Sequence, residues 1–128
     1  MGKFSDSVKA NIERLKRENQ KKCYSIVYDL FMGIVRDTPV LDGYLRNNWF
    51  TSPSASFSLS TNPIPDKQGE GSLLNIQSLG NYDLFYGKNS IVTMANNLNY
   101  AYRIEYQGWS MKAPQGMVRL NIQRVGRG

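Results

Sequence analysis

Ser25-Ile26-Val27-Tyr28-Asp29-Leu30-Phe31-Met32-Gly33-Ile34-Val35-Arg36 decides the fold. Ile26, Leu30 and Ile34 recur at helical spacing and are flanked by Val27 and Phe31, so one face of a helix is apolar here. Toward the N-terminus the stripe thins but keeps its phase in Val8, Ile12 and Leu15. Ser5, Asp6 and Ser7 offer capping side chains, and no proline interrupts before Pro39, so the pattern predicts one helix over 6–36. Lys16-Arg17-Glu18-Asn19-Gln20-Lys21-Lys22 separates the two apolar groups. At the rise of an α-helix this segment is about 46 Å long. A compact chain of this size is only about 36 Å across. Such a helix either kinks near the polar run or leans on another subunit; the second is expected, with residues 1–22 overhanging the body, because a polar helix half gains little from standing alone in water.

Downstream the elements shorten. Thr38-Pro39-Val40-Leu41-Asp42-Gly43 reads as a turn that stops the helix, with Gly43 supplying backbone freedom. Tyr44–Phe50 predicts a short helical turn leading into a strand, and Phe57–Ser60 alternates like a half-buried strand. Residues 61–71, with prolines, glycines and charges, predict a mobile loop. Ser72–Leu79 predicts two helical turns ending at Gly80. Ser90–Ala95 predicts a strand closed by Asn96 and Asn97. Val118, Leu120 and Ile122 alternate and predict a last strand, with a helix opening after Pro114 as the alternative. Residues 124–128 are expected to fray. These elements make a single domain over 1–128 of the α+β class: a long N-terminal helix packed on a small, mostly antiparallel sheet, with a short second helix.

Composition narrows the function. The 128 residues are 41% hydrophobic and 20% charged, values of a chain that folds. No apolar run reaches the roughly 20 residues of a membrane span, and the start lacks the apolar core of a secretory signal. A soluble protein made in the cytosol is expected. Histidine is absent and Cys23 is the one cysteine. The usual general base, the commonest metal ligand and an internal disulfide are thereby removed.

The ten carboxylates are scattered, and no Ser-x-x-Lys occurs. The reading is a non-enzyme with no cofactor and no metal. Cys23, beside Lys21 and Lys22, is read as a small residue on a helix flank near the core. The net charge of +6 is uneven: residues 1–36 hold eight basic and four acidic side chains, and four basic residues but no acid follow Glu105. Such a balance suits nucleic acid or an acidic protein surface. The acids interleaved with Arg14, Arg17 and Lys21 suit a solvated helix face with pairs such as Glu18 with Lys22. Among the eight tyrosines, Tyr100, Tyr102 and Tyr106 cluster near Trp109. They suit an interface as well as base stacking.

Two segments resemble a known family. Thr38-Pro39-Val40-Leu41-Asp42-Gly43-Tyr44-Leu45-Arg46-Asn47-Asn48-Trp49 is similar to a block of the neck, tail-completion and head–tail joining proteins of tailed bacteriophages. That group includes relatives of the minor tail protein Z of lambda-like phages. Ala95–Tyr106, continuing into Gly108-Trp109-Ser110-Met111-Lys112-Ala113-Pro114-Gln115-Gly116-Met117-Val118-Arg119, is similar to a second block. The sequence departs from the family pattern with Leu41 for Asp, Asp42 for Thr, Asn48 for Ser, Asn99 for Pro, and an inserted Gln107.

The resemblance implies an α+β domain whose copies form a ring between head and tail. Its partners would be the portal-side connector, the tail or tail-tube protein and the genomic DNA passing through the lumen, with no membrane. It marks Pro39, Gly43, Leu45, Arg46, Trp49, Asn96, Asn97, Tyr100, Glu105, Trp109, Pro114 and Gly116 as structural positions. Candidate interface residues are Arg14, Arg17, Lys21, Tyr102 and Tyr106. A nucleic-acid-binding module and a tail-tube terminator are the alternative readings.

Overall fold

The computed structural model describes residues 3–40, 42–53, 60–79, 91–107, 110–113 and 115–127, and the side chains of 3 and 4 are not considered. The expected strand at Phe57–Ser60 falls outside these residues except for Ser60, as do Gly80 and Ser90. The chain runs α1 (Lys3–Asp37), β1 (Trp49–Ser52), α2 (Glu70–Gln77), β2 (Thr93–Asn96), α3 (Ala101–Tyr106) and α4 (Val118–Arg127). The α+β class read from the sequence holds, with the long helix, a two-stranded antiparallel sheet and short helices.

α1 has 35 residues, so it is about 52 Å long. Its C-terminal half supplies Phe31, Ile34 and Val35 to the core, beside Leu45, Trp49, Ile76, Ala101, Ile104 and Met117. Its N-terminal half does not share that core. Every side chain from residue 6 to residue 19 is exposed. Val8, Ile12 and Leu15 are 41%, 46% and 54% exposed. Thr38 ends the helix: its hydroxyl donates to the Ile34 carbonyl at 2.6 Å, and Pro39 bars continuation.

β1 and β2 pair with Trp49 opposite Asn96 and Ser52 opposite Thr93. α2 lies against β1. Ser72 joins the two by accepting from the Trp49 amide at 2.9 Å and donating to the Arg46 carbonyl at 2.7 Å. α2 begins at Glu70, inside the segment read as loop 61–71. The reason is a turn just before it: the Asp66 carboxylate accepts from the Gln68 and Gly69 amides, and Gly69 takes φ 73° to launch the helix. Ser72 is committed to the Trp49 amide and the Arg46 carbonyl, and no side chain caps the helix start.

The C-terminal segment follows the alternative reading, a helix after Pro114, and not the last strand. Val118, Leu120 and Ile122 alternate, yet residues Val118–Arg127 form a helix. Burial follows helical spacing: Met117 and Asn121 are buried, whereas Leu120 and Ile122 are exposed. α4 runs past residue 124 to Arg127. Arg124 donates to the Asp29 carboxylate at 3.0 and 3.2 Å and to the Asp29 carbonyl at 3.1 Å, which ties α4 back along α1. Gly33 allows the two helices to meet, because a Cβ there would overlap the Asn121 side chain.

Candidate functional site

The first family-like block is a knot of side chain-to-backbone hydrogen bonds. Trp49, 4% exposed, donates its indole N–H to the Thr38 hydroxyl at 2.9 Å. Arg46 spreads its guanidinium over the carbonyls of Thr38, Arg36 and Lys67 at 2.8 to 3.1 Å. A planar fork serves several carbonyls at once, which an ammonium cannot do. Burial lowers the Arg46 pKa, and Asp37 only partly offsets this. Asn47 donates to the Ile64 carbonyl and accepts from the Gly71 amide. Asn48 donates to the Tyr44 and Asn62 carbonyls and accepts from the Asn62 amide. Gly43, at φ 95°, makes the turn that starts this knot. Leu45 is buried in the core, and Pro39 is half-buried.

The second block braces the first. Asn96 donates to the Leu45 carbonyl at 2.9 Å and Asn97 donates to the Ser60 carbonyl at 2.8 Å. Tyr100 packs against the core, and burial, with Asp42 and Tyr44 nearby, raises its phenol pKa. Glu105 builds the start of α4. Its carboxylate accepts from the amides of Met117, Val118 and Arg119 at 2.7, 2.9 and 2.8 Å, and from Arg119 Nε at 3.2 Å. Arg119 also donates to the Glu105 carbonyl. Burial pushes the Glu105 pKa up, but the three amides and the Arg119 side chain outweigh it, and the carboxyl sits below the usual range. Gly116, at φ 79°, is required because a Cβ would lie 2.6 Å from Glu105 Oε2.

Two exposed surfaces remain. Tyr102 and Tyr106, both largely exposed, stand with ring centroids 4.9 Å apart, and the Arg119 guanidinium lies 5.0 Å from the Tyr106 ring. Arginine over tyrosine is the composition of interface anchors. Arg14, Arg17 and Lys21 are exposed along α1, on a different element from the tyrosine pair. Cys23 is exposed on α1, not on a flank near the core as expected of a free cysteine. Among the described residues no ion pair joins Glu18 to Lys22, whereas Arg36–Asp37, Arg119–Glu105 and Arg124–Asp29 are paired. Trp109 and Pro114 lie outside the described residues.

A groove of about 550 Å³ opens between the end of α1 and the start of α4, bordered by Arg36, Arg46, Lys67 and Lys112. Sequence reading missed it, because its cations come from four separate segments. Asn121 and Gly33 were missed too, although a glycine and an asparagine interrupting helical stretches are signals of close packing. Among the described residues no group of three or more Cys, Asp or Glu could hold a metal ion. None of the described helices is long and apolar enough to cross a membrane. Comparison with protein-family models, curated proteins and solved structures gives no match for this chain.

Proposed function

We propose that the chain is a structural, non-catalytic subunit of the neck of a tailed bacteriophage, one copy of a ring at the head–tail junction through which DNA passes. The observation that carries this reading is the free half of α1. A helix about 52 Å long keeps an apolar stripe, Val8, Ile12 and Leu15, in water beyond its own core. A ring supplies a neighbour to cover such a stripe at every copy, because a head-to-tail contact that closes leaves no copy unpartnered. The exposed Tyr102–Tyr106 pair with Arg119 offers a second contact surface on the body.

The resemblance to head–tail joining proteins rests on residues that serve as braces: Arg46, Asn96 and Glu105 hold backbone, and the Trp49 indole holds the Thr38 hydroxyl. Virion location, contact with the portal-side connector and tail, and DNA in the lumen belong to the same proposal. The basic surplus after Glu105 suits a lumen that DNA crosses.

Electron microscopy of particles made without this gene product tests the reading. Filled heads accompanied by unattached tails are expected. Tails of abnormal length would favour a tail-tube terminator, and normal infectious particles would overturn both.

A further inference from the structure

The groove between α1 and α4 has a charge imbalance that its own residues do not resolve. Arg36, Arg46, Lys67 and Lys112 border it, and Asp37 is the single carboxylate among its described lining residues. Asp37 is already engaged by Arg36 at 3.3 Å and by Asn121 at 3.0 Å. Arg46 meets only carbonyl oxygens. Among the described residues neither Lys67 nor Lys112 has an ion-pair partner. Positive charge gathered around a concave site focuses the field there and attracts an anion more strongly than the same charge spread over an open surface.

The rest of the lining narrows the class of anion. Pro39, Val40 and Leu120 give the groove an apolar side, and Leu120 is 39% exposed there. Phosphate or a nucleic-acid backbone gains nothing from such a wall. A peptide that alternates acidic and aliphatic side chains uses both halves: carboxylates on the cations and an aliphatic side chain on the wall. The volume is that of a ligand site for a few residues.

We propose that this groove binds a short acidic and aliphatic peptide segment of a partner protein. Lys67 and Lys112 hold its carboxylates, and Leu120, Val40 and Pro39 take its apolar side chain. The site stands apart from the neck assignment and would survive its failure, since it rests on the lining alone.

Amide chemical shifts of the full-length ¹⁵N-labelled chain, titrated with acetyl-Glu-Val-Glu-Leu-amide, test it. Saturable shifts are expected at Lys67, Lys112, Gln115 and Gly116, with a dissociation constant of about 1 mM, the scale of a few weak contacts. The double variant Lys67→Ala/Lys112→Ala should weaken binding at least tenfold with its melting temperature unchanged, because both side chains are exposed. Three results would overturn the proposal. One is the absence of saturable shifts, or shifts spread along α1 at Arg14 and Arg17. Another is full binding by the double variant. The third is an equal response to inorganic phosphate, or a stronger one to a short DNA duplex, at the same amides.

Discussion

Replacing Glu105 with Gln isolates the contact that creates α4. The side chain is nearly the same size, but one carboxylate oxygen becomes an NH₂ that faces backbone N–H groups. Three amides currently point at the two oxygens from 2.7 to 2.9 Å, and the carboxyl is only 6% exposed, so water cannot replace what is lost. A charge-assisted hydrogen bond in such a setting is worth about 2 kcal/mol. The lost attraction between the carboxylate and the helix N-terminus adds about 1 kcal/mol. The Arg119 side chain is 48% exposed, so its ion pair adds little.

The total is about 3 kcal/mol. For 128 residues the unfolding entropy is about 0.27 kcal/mol/K, so the melting temperature should fall by about 10 °C at pH 7. The pH dependence has a definite sign. Glu105 has a folded pKa below its unfolded value of about 4.3, so its stabilisation is complete above that pH and is lost as pH falls through the folded value. Circular-dichroism melts of both proteins from pH 7 down to pH 3 should therefore converge toward acid. A shift below about 2 °C at pH 7, or a gap that stays constant on acidification, would refute the role given to Glu105.

Gly33→Ala forces a methyl into Asn121 where α1 and α4 meet; overpacking of this kind costs about 1–3 kcal/mol, readable as a lower urea midpoint. Thr38→Val keeps the shape but strands the buried Trp49 indole N–H, so about 1–3 kcal/mol should be lost in the same assay, whereas Thr38→Ser should lose less. Arg46→Lys cannot reach the carbonyls of Arg36, Thr38 and Lys67 together, and a loss of about 2 kcal/mol is expected despite the retained charge. Arg124→Ala breaks an exposed pair with Asp29 and should change stability by less than about 1 kcal/mol, with the melting temperature nearly unmoved.

What the sequence made legible follows from the range of each signal. α1 is written in its own periodicity, so its extent and its polar half can be read without tertiary information. The strands at Trp49 and Thr93 are short, but aromatic and β-branched residues bounded by turn-formers mark them. α4 is different. Its helical state depends on a carboxylate from another element, and alternation at Val118, Leu120 and Ile122 misleads because Asn121, a polar residue, is the buried one.

The turn at 38–49 was recognisable as a motif, yet the bonds made by Arg46, Asn47 and Asn48 reach residues 36 to 71 and leave no local trace. Burial of polar side chains that bond backbone is invisible to hydrophobic patterning. The groove has the same character, since only folding brings Arg36, Lys67 and Lys112 to one rim.

The neck assignment is tested most directly by counting. Quantitative mass spectrometry of purified phage particles, with the portal protein as the internal standard, gives the copy ratio of this chain. A small constant ratio, of the order found for other ring components of the same particle, is the predicted result. Absence of the chain from mature particles would contradict the account.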